Sequence, residues 1–548
     1  MVPLFMASSK DPADLSRGTG RWKIGRHCRR PLRVLHIGNV ANNAYKNAKL
    51  LNEAGLDCDV MCYDYYHIMG APEWEDADIK GTIRDQYFPD WSSVNLHGFQ
   101  RPKWFAQGPA RLCIYYLLAR RRRQLALARF WWLALRMAQW RVGNIHARRI
   151  SRAMKPAAKL VLKLFKRGRH WLQVGMRLPA AFWRRGSAHS TADVPPETEF
   201  RSQVRRLVAE FQRLFPHRAD RLTEGELQQF ESAYPLWQQL FREYDIIQVY
   251  ATDVCWPLLC NHHPYVGFEH GTLRDIPYAP TLEGRLTALG YAMADGVFIT
   301  NGDCRAAIPR LRLTNVMPMI HPIDERVYLE GREARGEGRG EDHAQPLRQR
   351  LGCRYLLLCP LRHDWAVKGT DLYLRALPEL ARRLGKSFRL LLTRWGLQVE
   401  DSKALIAKLG VEDLVEWVEP LCRRALIRLM KQVDVLLDQT TLPHFGATAP
   451  EGIAAGVPVL MSYRPQSTTW IVAEPAPLLP VFTVTDVVNQ TVTALDPQWR
   501  KAYQDTARRW IEDYHSSRRV VEEHFRMYEM CLARTAAEGK SSLQRLSA

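Results

Sequence analysis

The stretch HFGATAPEGIAAGVPV, residues 444–459, decides the fold class. A glycine-containing loop opens a short helix that carries one acid, Glu451, and a Gly-Val-Pro turn leads into an apolar strand. The amino end of a helix offers unpaired N–H groups that suit a phosphate. A carboxylate one turn further on can accept hydrogen bonds from a ribose diol, but it also suits the helix dipole by itself. The stretch alone therefore leaves a nucleotide site and a plain helix start both open.

Short apolar runs alternate with helical patterns on both sides of this stretch. Strands are predicted at residues 32–37, 59–63, 246–250, 265–268, 297–300, 355–359, 390–393, 415–418, 435–437 and 457–460. Buried parallel strands have this appearance, and their alternation with helices predicts two doubly wound, Rossmann-like α/β domains. Two such domains enclose a cleft beyond the carboxyl ends of their strands, which is the expected ligand site.

The domain boundaries follow from shifts in composition. A polar, charged and glycine-rich stretch, 329–348, is typical of a linker. We expect a flexible leader at 1–30, a first domain at 31–328 with a basic helical insertion at about 101–235, a second domain at 349–496, and a terminal helix and tail at 497–548.

A second segment, residues 361–372, carries two cations just after a predicted strand. Arg362 and Lys368 would project into the cleft, where a planar fork and a point charge suit a diphosphate. Fixed cations can also stabilise the charge that grows on a leaving phosphate. Two surface cations at a helix start are the alternative interpretation.

Together, these two segments resemble the signature of the retaining GT-B glycosyltransferases often called family 4. Its pattern is E-x-F-G-x-x-x-x-E followed by A-x-x-x-G-x-P-V, with an upstream R-x(3–5)-K-G-x-D. Matching positions in the carboxy-terminal pattern are Phe445, Gly446, Glu451, Gly456, Pro458 and Val459. The first acid of the pattern falls on Pro443, so a carboxylate that lies near the donor sugar in the family is absent here. The resemblance covers residues 240–465 well and 31–65 loosely.

The resemblance implies roles for particular residues. Arg362 and Lys368 would bind the donor diphosphate and act in catalysis, and Glu451, Gly446 and Thr448 would complete the donor site. The family is thought to retain configuration without a protein nucleophile, because the leaving phosphate helps to take the acceptor's proton. No metal motif in the expected context is evident, so we expect a metal-independent reaction with no cofactor besides the nucleotide-sugar donor.

The first domain contributes three further candidates. His270 follows a predicted strand and precedes Gly271, so its imidazole can face the cleft, where a family histidine lies near the donor sugar. Gly38 and Asn39 end the first strand, where a small residue lets an acceptor or phosphate approach the backbone. A structural histidine and a plain turn are the alternatives.

The net charge of +21 is concentrated in one interval. Residues 91–192 contain no Asp or Glu but 22 Lys and Arg residues, so the rest of the chain is close to neutral. Large apolar residues stand among the cations, which is typical of helices that lie on anionic membranes. Nucleic-acid binding and a helical insertion packed on the first domain with a solvated cationic face are the alternatives, although no nucleic-acid-binding motif is evident.

Targeting signals are not evident in the sequence. The amino terminus has no apolar run typical of a signal peptide, and no stretch of about 20 uncharged apolar residues occurs. The eleven cysteines are odd in number and scattered, and the pair Cys58 and Cys62 has no second pair, so neither disulfides nor zinc are expected. We expect a cytoplasmic protein held peripherally at the inner face of the membrane.

The sequence thus predicts a glycosyltransferase. It would move a sugar from a nucleotide-sugar to a membrane-borne or lipid-linked glycan with retention, in cell-surface polysaccharide synthesis. The alternative is a non-catalytic GT-B relative that binds a glycan or a partner, which the missing acid at Pro443 keeps open.

Overall fold

The computed structural model describes residues 30–143, 199–329 and 344–546. Nearly all of the predicted leader, most of the predicted linker, and residues 144–198 of the basic interval lie outside these ranges. Within them, two wholly parallel sheets form two α/β domains, and this confirms the predicted fold class.

The strands of the first sheet are short and mostly apolar, because helices cover both of its faces. They are β1 (Arg33–Ile37), β2 (Asp57–Tyr63), β3 (Phe105–Gly108), β4 (Ile246–Tyr250), β5 (Tyr265–Phe268), β6 (Gly296–Ile299) and β7 (Val316–Pro318). Their order is β3-β2-β1-β4-β5-β6-β7, and Val34 of β1 is in register with Cys58 on one side and Ile246 on the other. The order reverses between β1 and β4, so a crevice lies there at the carboxyl edge.

The helices of the first domain differ widely in length. They are α1 (Asn43–Glu53), α2 (Pro72–Asp76), α3 (Ala110–Arg121), α4 (Leu125–Gly143), α5 (Glu199–Leu214), α6 (Glu224–Leu227), α7 (Tyr234–Phe241), α8 (Cys255–Leu259), α9 (Leu282–Ala292), α10 (Ala307–Leu311) and α11 (Arg326–Leu329).

The start of the predicted basic insertion is built into the first sheet. Strand β3 lies inside residues 101–235 and pairs with β2, which the sequence analysis did not predict. The arginine run at the end of α3, residues 120–123, is anchored as well. Arg121 Nε lies 2.6 Å from the buried carboxylate of Asp59, and Arg122 Nε lies 2.8 Å from Glu243. These cations therefore hold α3 to its own domain, as the helical-insertion alternative requires for this part.

The second domain repeats the plan around six strands. These are β8 (Tyr355–Cys359), β9 (Phe388–Thr393), β10 (Val415–Val418), β11 (Val435–Leu437), β12 (Val459–Met461) and β13 (Leu479–Pro480), in the order β10-β9-β8-β11-β12-β13. Its helices are α12 (Ala344–Leu351), α13 (Trp365–Lys368), α14 (Thr370–Leu384), α15 (Val399–Leu409), α16 (Arg423–Met430), α17 (Thr448–Ala454), α18 (Val484–Leu495) and α19 (Pro497–Tyr514).

The last helix, α20 (Ser517–Leu546), returns to the first domain. The hydroxyl of Tyr528 donates to Gln248 Oε1 on β4 at 2.6 Å, and the His524 ring lies 4.9 Å from that of Phe298 on β6. The terminal region predicted as one helix is thus two, α19 and α20, and the second covers the first sheet.

We expect Gly296→Ala to disturb the packing of α20 on β6 and so to destabilise the protein. A Cβ at Gly296 would overlap Met527 Sδ and lie 3.1 Å from Cys531 Sγ, so overpacking should lower the free energy of unfolding by about 1–3 kcal/mol. Gly225→Ala is the matched control, because a Cβ there meets nothing within 4 Å and Ala favours a helix. Urea denaturation measures both, and equal stability of the two variants would contradict the packing of α20 on β6.

Candidate active site

Side chains from both domains meet where the carboxyl edges of the two sheets face each other. Arg274, after β5, donates through Nη2 to Nε2 of His444, which precedes α17, at 2.9 Å. The same guanidinium holds Asp303 through Nε at 2.6 Å. The site is therefore an inter-domain one, as the two-domain prediction requires.

His270 lies in this cleft on the first-domain side. Its turn contains Gly271 at φ +83°, and its Nδ1 is hydrogen-bonded to Asn43 Nδ2 at 2.9 Å. Burial, together with the nearby cations Lys46, Arg274 and Lys368, lowers the pKa of His270 to about 4. The imidazole is therefore neutral at pH 7 and faces a second-domain lysine.

The turn that carries His270 is fixed by a buried carboxylate. Glu269 accepts hydrogen bonds from the backbone N–H groups of Gly271, Thr300 and Asn301, and from the Asn301 amide and the Cys304 thiol. Because β5 and β6 are adjacent, these bonds join the ends of two strands. The position of His270 is thereby set by satisfied buried groups.

Lys368 lies at the end of α13, on the second-domain side. Its Nζ donates to Gln439 Oε1 at 3.0 Å, and burial lowers the pKa of its ammonium group while Asp438 raises it. Gly369 follows at φ +64°, where a Cβ would overlap the Thr440 hydroxyl, so only glycine fits. The close approach of the loop at Thr440 therefore explains why a glycine follows Lys368.

Arg362 is more exposed than Lys368. Its Nη2 lies 3.8 Å from Asp364 Oδ2, and its charge lowers the pKa of His67 in the first domain as well as that of Lys368. The guanidinium is therefore within electrostatic reach both of Lys368 and of the first domain.

Glu451 is buried on α17 and is already ion-paired. Its Oε2 accepts a short hydrogen bond from Arg423 Nη1, and Arg423 Nε lies 3.5 Å from Glu75 Oε1 of the first domain. Burial raises the pKa of Glu451, and Arg423 partly offsets this. The predicted donor carboxylate is thus also part of a Glu75–Arg423–Glu451 ion triad between the domains.

Glu451 and Lys368 converge on one further group. The charge of Asp438, at the end of β11, raises the pKa of both. Asp438 is buried, and its Oδ1 accepts a hydrogen bond at 2.8 Å from the backbone N–H of Gln439, the residue whose side chain Lys368 contacts. The structure therefore brings together Lys368, Arg362 and His270 around the cleft and places Glu451 beside them.

Gly446 and Thr448 lie at the start of α17. A Cβ at Gly446 would meet nothing within 4 Å, so the space above this backbone is open to a ligand. Thr448 lines a small cavity with Trp395, Pro360 and other residues at the ends of β8, β9 and β10, and with Met69 and Trp74 of the first domain. An aromatic and apolar cavity beside cations suits a planar base attached to phosphates.

The two acceptor-side candidates differ. Gly38 has φ +86°, and a Cβ there would overlap Asp253 Oδ2. Asn39 is 1% exposed, and its amide donates to Asn42 Oδ1 at 2.9 Å and to Gly70 O at 3.0 Å while accepting from Tyr45 N. The side chain of Asn39 holds its loop, so the structure gives it a different role from the one that the sequence suggested.

Sequence analysis gave no role to several residues of the site. Lys46, Arg274 and Arg423 act on His270 or Glu451, and His444 is hydrogen-bonded to Arg274. Arg274 and His444 stand inside stretches that the motifs single out, so their proximity to His270 and Glu451 in sequence was a usable signal. Lys46 and Arg423 lie within ordinary helices and carry no such signal.

No group of three or more His, Cys, Asp or Glu residues with metal-binding geometry occurs in the described part of the chain. In those same residues, no helix is both long and apolar enough to cross a bilayer. Metal independence stays a prediction.

Comparison with known proteins bears on the second domain above all. No curated protein matches the chain. Similar solved structures include HepE of Anabaena with UDP and glucose (16% identity, 56% of this chain and 83% of that chain, TM-score 0.44). A Rickettsia africae glycosyltransferase (11%, 92% and 99%, 0.47) and the N-terminal domain of Candida albicans trehalose-6-phosphate phosphatase (10%, 94% and 98%, 0.49) are also similar.

The family match falls on the residues that carry the motifs. Residues 357–474 include Arg362, Lys368, Gly446 and Glu451, and they match the model of one family. The resemblance seen in the sequence is confirmed for this part of the chain, which matches the family described as glycosyl transferases group 1.

Proposed function

We propose that the protein is a retaining, metal-independent glycosyltransferase that takes its sugar from a nucleotide-sugar donor. One observation carries this proposal: Arg274, beside His270, donates to His444 of the second domain at 2.9 Å across the cleft, and His270 is within electrostatic reach of Lys368. A sugar bound between them has a cation on its phosphate side and a neutral imidazole on its other side. Both groups lie in the part of each domain that the family resemblance assigns to the donor.

The chemistry follows from the charges. Lys368 and Arg362 bind the diphosphate, Glu451 binds the ribose through the oxygen that Arg423 does not hold, and the base lies in the cavity beside Thr448. As the bond between C1 and the phosphate oxygen breaks, the two cations stabilise the negative charge on the phosphate. The acceptor oxygen bonds to C1 from the same face, and its proton passes to the leaving phosphate. The neutral His270 can hydrogen-bond to the sugar without a charge.

The alternative is a non-catalytic relative that binds a glycan or a partner. Two observations favour it: Pro443 replaces the first acid of the family pattern, and Glu451 is ion-paired to Arg423. A thermal-shift screen with UDP, GDP, ADP, CMP and their sugars separates the two. Stabilisation by one nucleotide supports the enzyme and gives the base, whereas no stabilisation by any of them contradicts the proposed donor site.

Lys368→Ala should lower turnover at least about 100-fold, because the leaving phosphate loses one charge contact in the transition state. Arg362→Ala should act in the same direction. Lys403→Ala is the matched control, since its ammonium is a surface group paired with Glu400 at 2.7 Å. Release of the nucleotide from its sugar is measured, and wild-type turnover in a folded Lys368 and Arg362 double variant would overturn the diphosphate assignment.

His270→Asn should lower kcat and leave the nucleotide-induced thermal shift intact, because the histidine acts near the sugar. Asn keeps a partner for Asn43 but does not titrate. The pKa of His270 lies near 4 when folded and near 6.5 when unfolded, so the histidine reduces stability as pH falls between these values. In the wild type this effect lowers the free energy of unfolding by up to about 1.4 kcal/mol for each pH unit, and the variant should lack this pH dependence. Normal kcat with lowered stability would mark His270 as structural.

We also propose that the enzyme lies on the inner face of an anionic membrane and uses a lipid-linked glycan acceptor in cell-surface polysaccharide synthesis. Support comes from α4, whose outer face is apolar and exposed: Phe130, Leu133, Met137 and Trp140 are 51–69% exposed. These positions share one side of the helix, and the opposite side packs Leu135 into the core. Arg129 and Arg141 flank the apolar stripe, as suits a helix lying in a lipid headgroup region.

The double variant Leu133→Glu, Met137→Glu should lose most binding to anionic vesicles, because it places two charges in the apolar stripe. Leu397→Glu is the matched control, since Leu397 is an apolar side chain of the second domain that is 92% exposed. Co-sedimentation with anionic and neutral vesicles at low and high salt measures binding. Equal binding of neutral and anionic vesicles, or a double variant that binds like the control, would refute the membrane proposal, and preferential binding of RNA would support the nucleic-acid alternative.

A further inference from the structure

A carboxylate lies in the crevice between β1 and β4, where the strand order of the first sheet reverses. Asp253 is in the 3-10 turn Ala251–Val254 that follows β4, and Gly38 follows β1. Ligands of doubly wound sheets bind at such reversals, beyond the carboxyl ends of the strands. In a two-domain glycosyltransferase whose second domain holds the donor, this edge of the first domain is where the acceptor must lie.

Only one oxygen of Asp253 is occupied. Oδ1 accepts a short hydrogen bond from the Tyr63 hydroxyl, which itself accepts from Trp256 Nε1 at 2.9 Å. Oδ2 has no hydrogen-bond or ion-pair partner among the described residues. Asp253 is only partly buried, so this second oxygen is open to a ligand that carries a hydrogen-bond donor.

Gly38 leaves room for the second oxygen beside its backbone. A side chain at this position would overlap Asp253 Oδ2, and the positive φ of Gly38 disfavours one in any case. Two non-glycine residues of neighbouring loops, Asp64 after β2 and Ala251 after β4, are also held in the left-handed region. Such strain is kept at sites where the surrounding structure requires it.

The charges around Asp253 select the kind of group it binds. Its titratable neighbours are Tyr63, Cys62, Cys255, Tyr291 and Glu283. None of them is a cation, so an anionic part of a ligand, such as a phosphate, would be repelled. A hydroxyl group would be bound, because an ionised carboxylate accepts strong hydrogen bonds from O–H donors.

We propose that Asp253 binds a hydroxyl of the acceptor sugar, so that the first domain recognises the glycan part of the acceptor and not its phosphate. This inference rests on the proposed glycosyl transfer. Asp253 is a binding residue in it, and the proton of the reacting hydroxyl still passes to the leaving phosphate. The charge of Asp253 also predicts a pH effect. Burial raises its pKa to about 6, so binding should weaken as pH falls below that value.

The test uses octyl glucoside, octyl galactoside and octyl mannoside as acceptor probes for the full chain. Saturation-transfer NMR should show binding of at least one probe, and Asp253→Asn should weaken it about 10-fold or more, as expected for a lost charged hydrogen bond. Binding to the variant should not change between pH 5 and 7. Asp253→Glu keeps the charge and serves as the second variant if Asn lowers the melting temperature.

Two controls separate this inference from the proposed function. Glu224→Gln makes the same change of charge at the exposed start of α6 and should bind the probe as the wild type does. The thermal shift with the donor nucleotide should be the same in all variants. No nucleotide shift in the wild type would contradict the proposed function, whereas a normal shift with no probe bound, or with Asp253→Asn binding normally, would overturn the role of Asp253.

Discussion

The ion triad of Glu75, Arg423 and Glu451 is the interaction on which the relation of the two domains depends. Arg423 has a carboxylate from each domain within 4 Å, and its guanidinium is largely buried. Removing one partner of such a group leaves a buried charge uncompensated, which typically costs about 3–5 kcal/mol. The triad therefore favours this arrangement of the two domains, and a nucleotide that bound Glu451 would act on the contact between the domains as well as on its own site.

Burial and neighbouring charges also determine the electrostatics around His270. Lys46, Arg274 and Lys368 surround His270, and burial keeps that imidazole neutral. Neutral imidazoles and fixed cations can hold a diphosphate and a sugar together without reorganising charge during the reaction. Carboxylates compensate the charge of these cations: Asp303 is ion-paired with Arg274, and Asp438 raises the pKa of Lys368.

Much of the fold could be predicted because buried parallel strands are short apolar runs, and the motif residues Lys368, Gly369 and Glu451 stand in the segments that follow two of these strands. The roles of single charged residues could not be predicted from the sequence. Arg121 belongs to a run that suggested a cationic surface, yet its partner is Asp59, which is 62 positions away in the chain and completely buried. Asn39 lies in a loop whose sequence suggested a binding site, but the hydrogen bonds of its side chain are all to groups of its own domain. A pattern shows which residue types are present, whereas pairing depends on which strands become neighbours.

The return of α20 to the first sheet has a consequence for synthesis of the protein on the ribosome. The apolar surface of the first sheet that Met527 and Tyr528 cover belongs to a domain translated long before them. While the second domain is being translated, α20 is not yet present to cover that surface. Exposed apolar surface of this kind makes nascent chains prone to aggregation. The amino-terminal half must therefore wait for the last helix to emerge, and chaperones that bind apolar segments are expected to act in that interval.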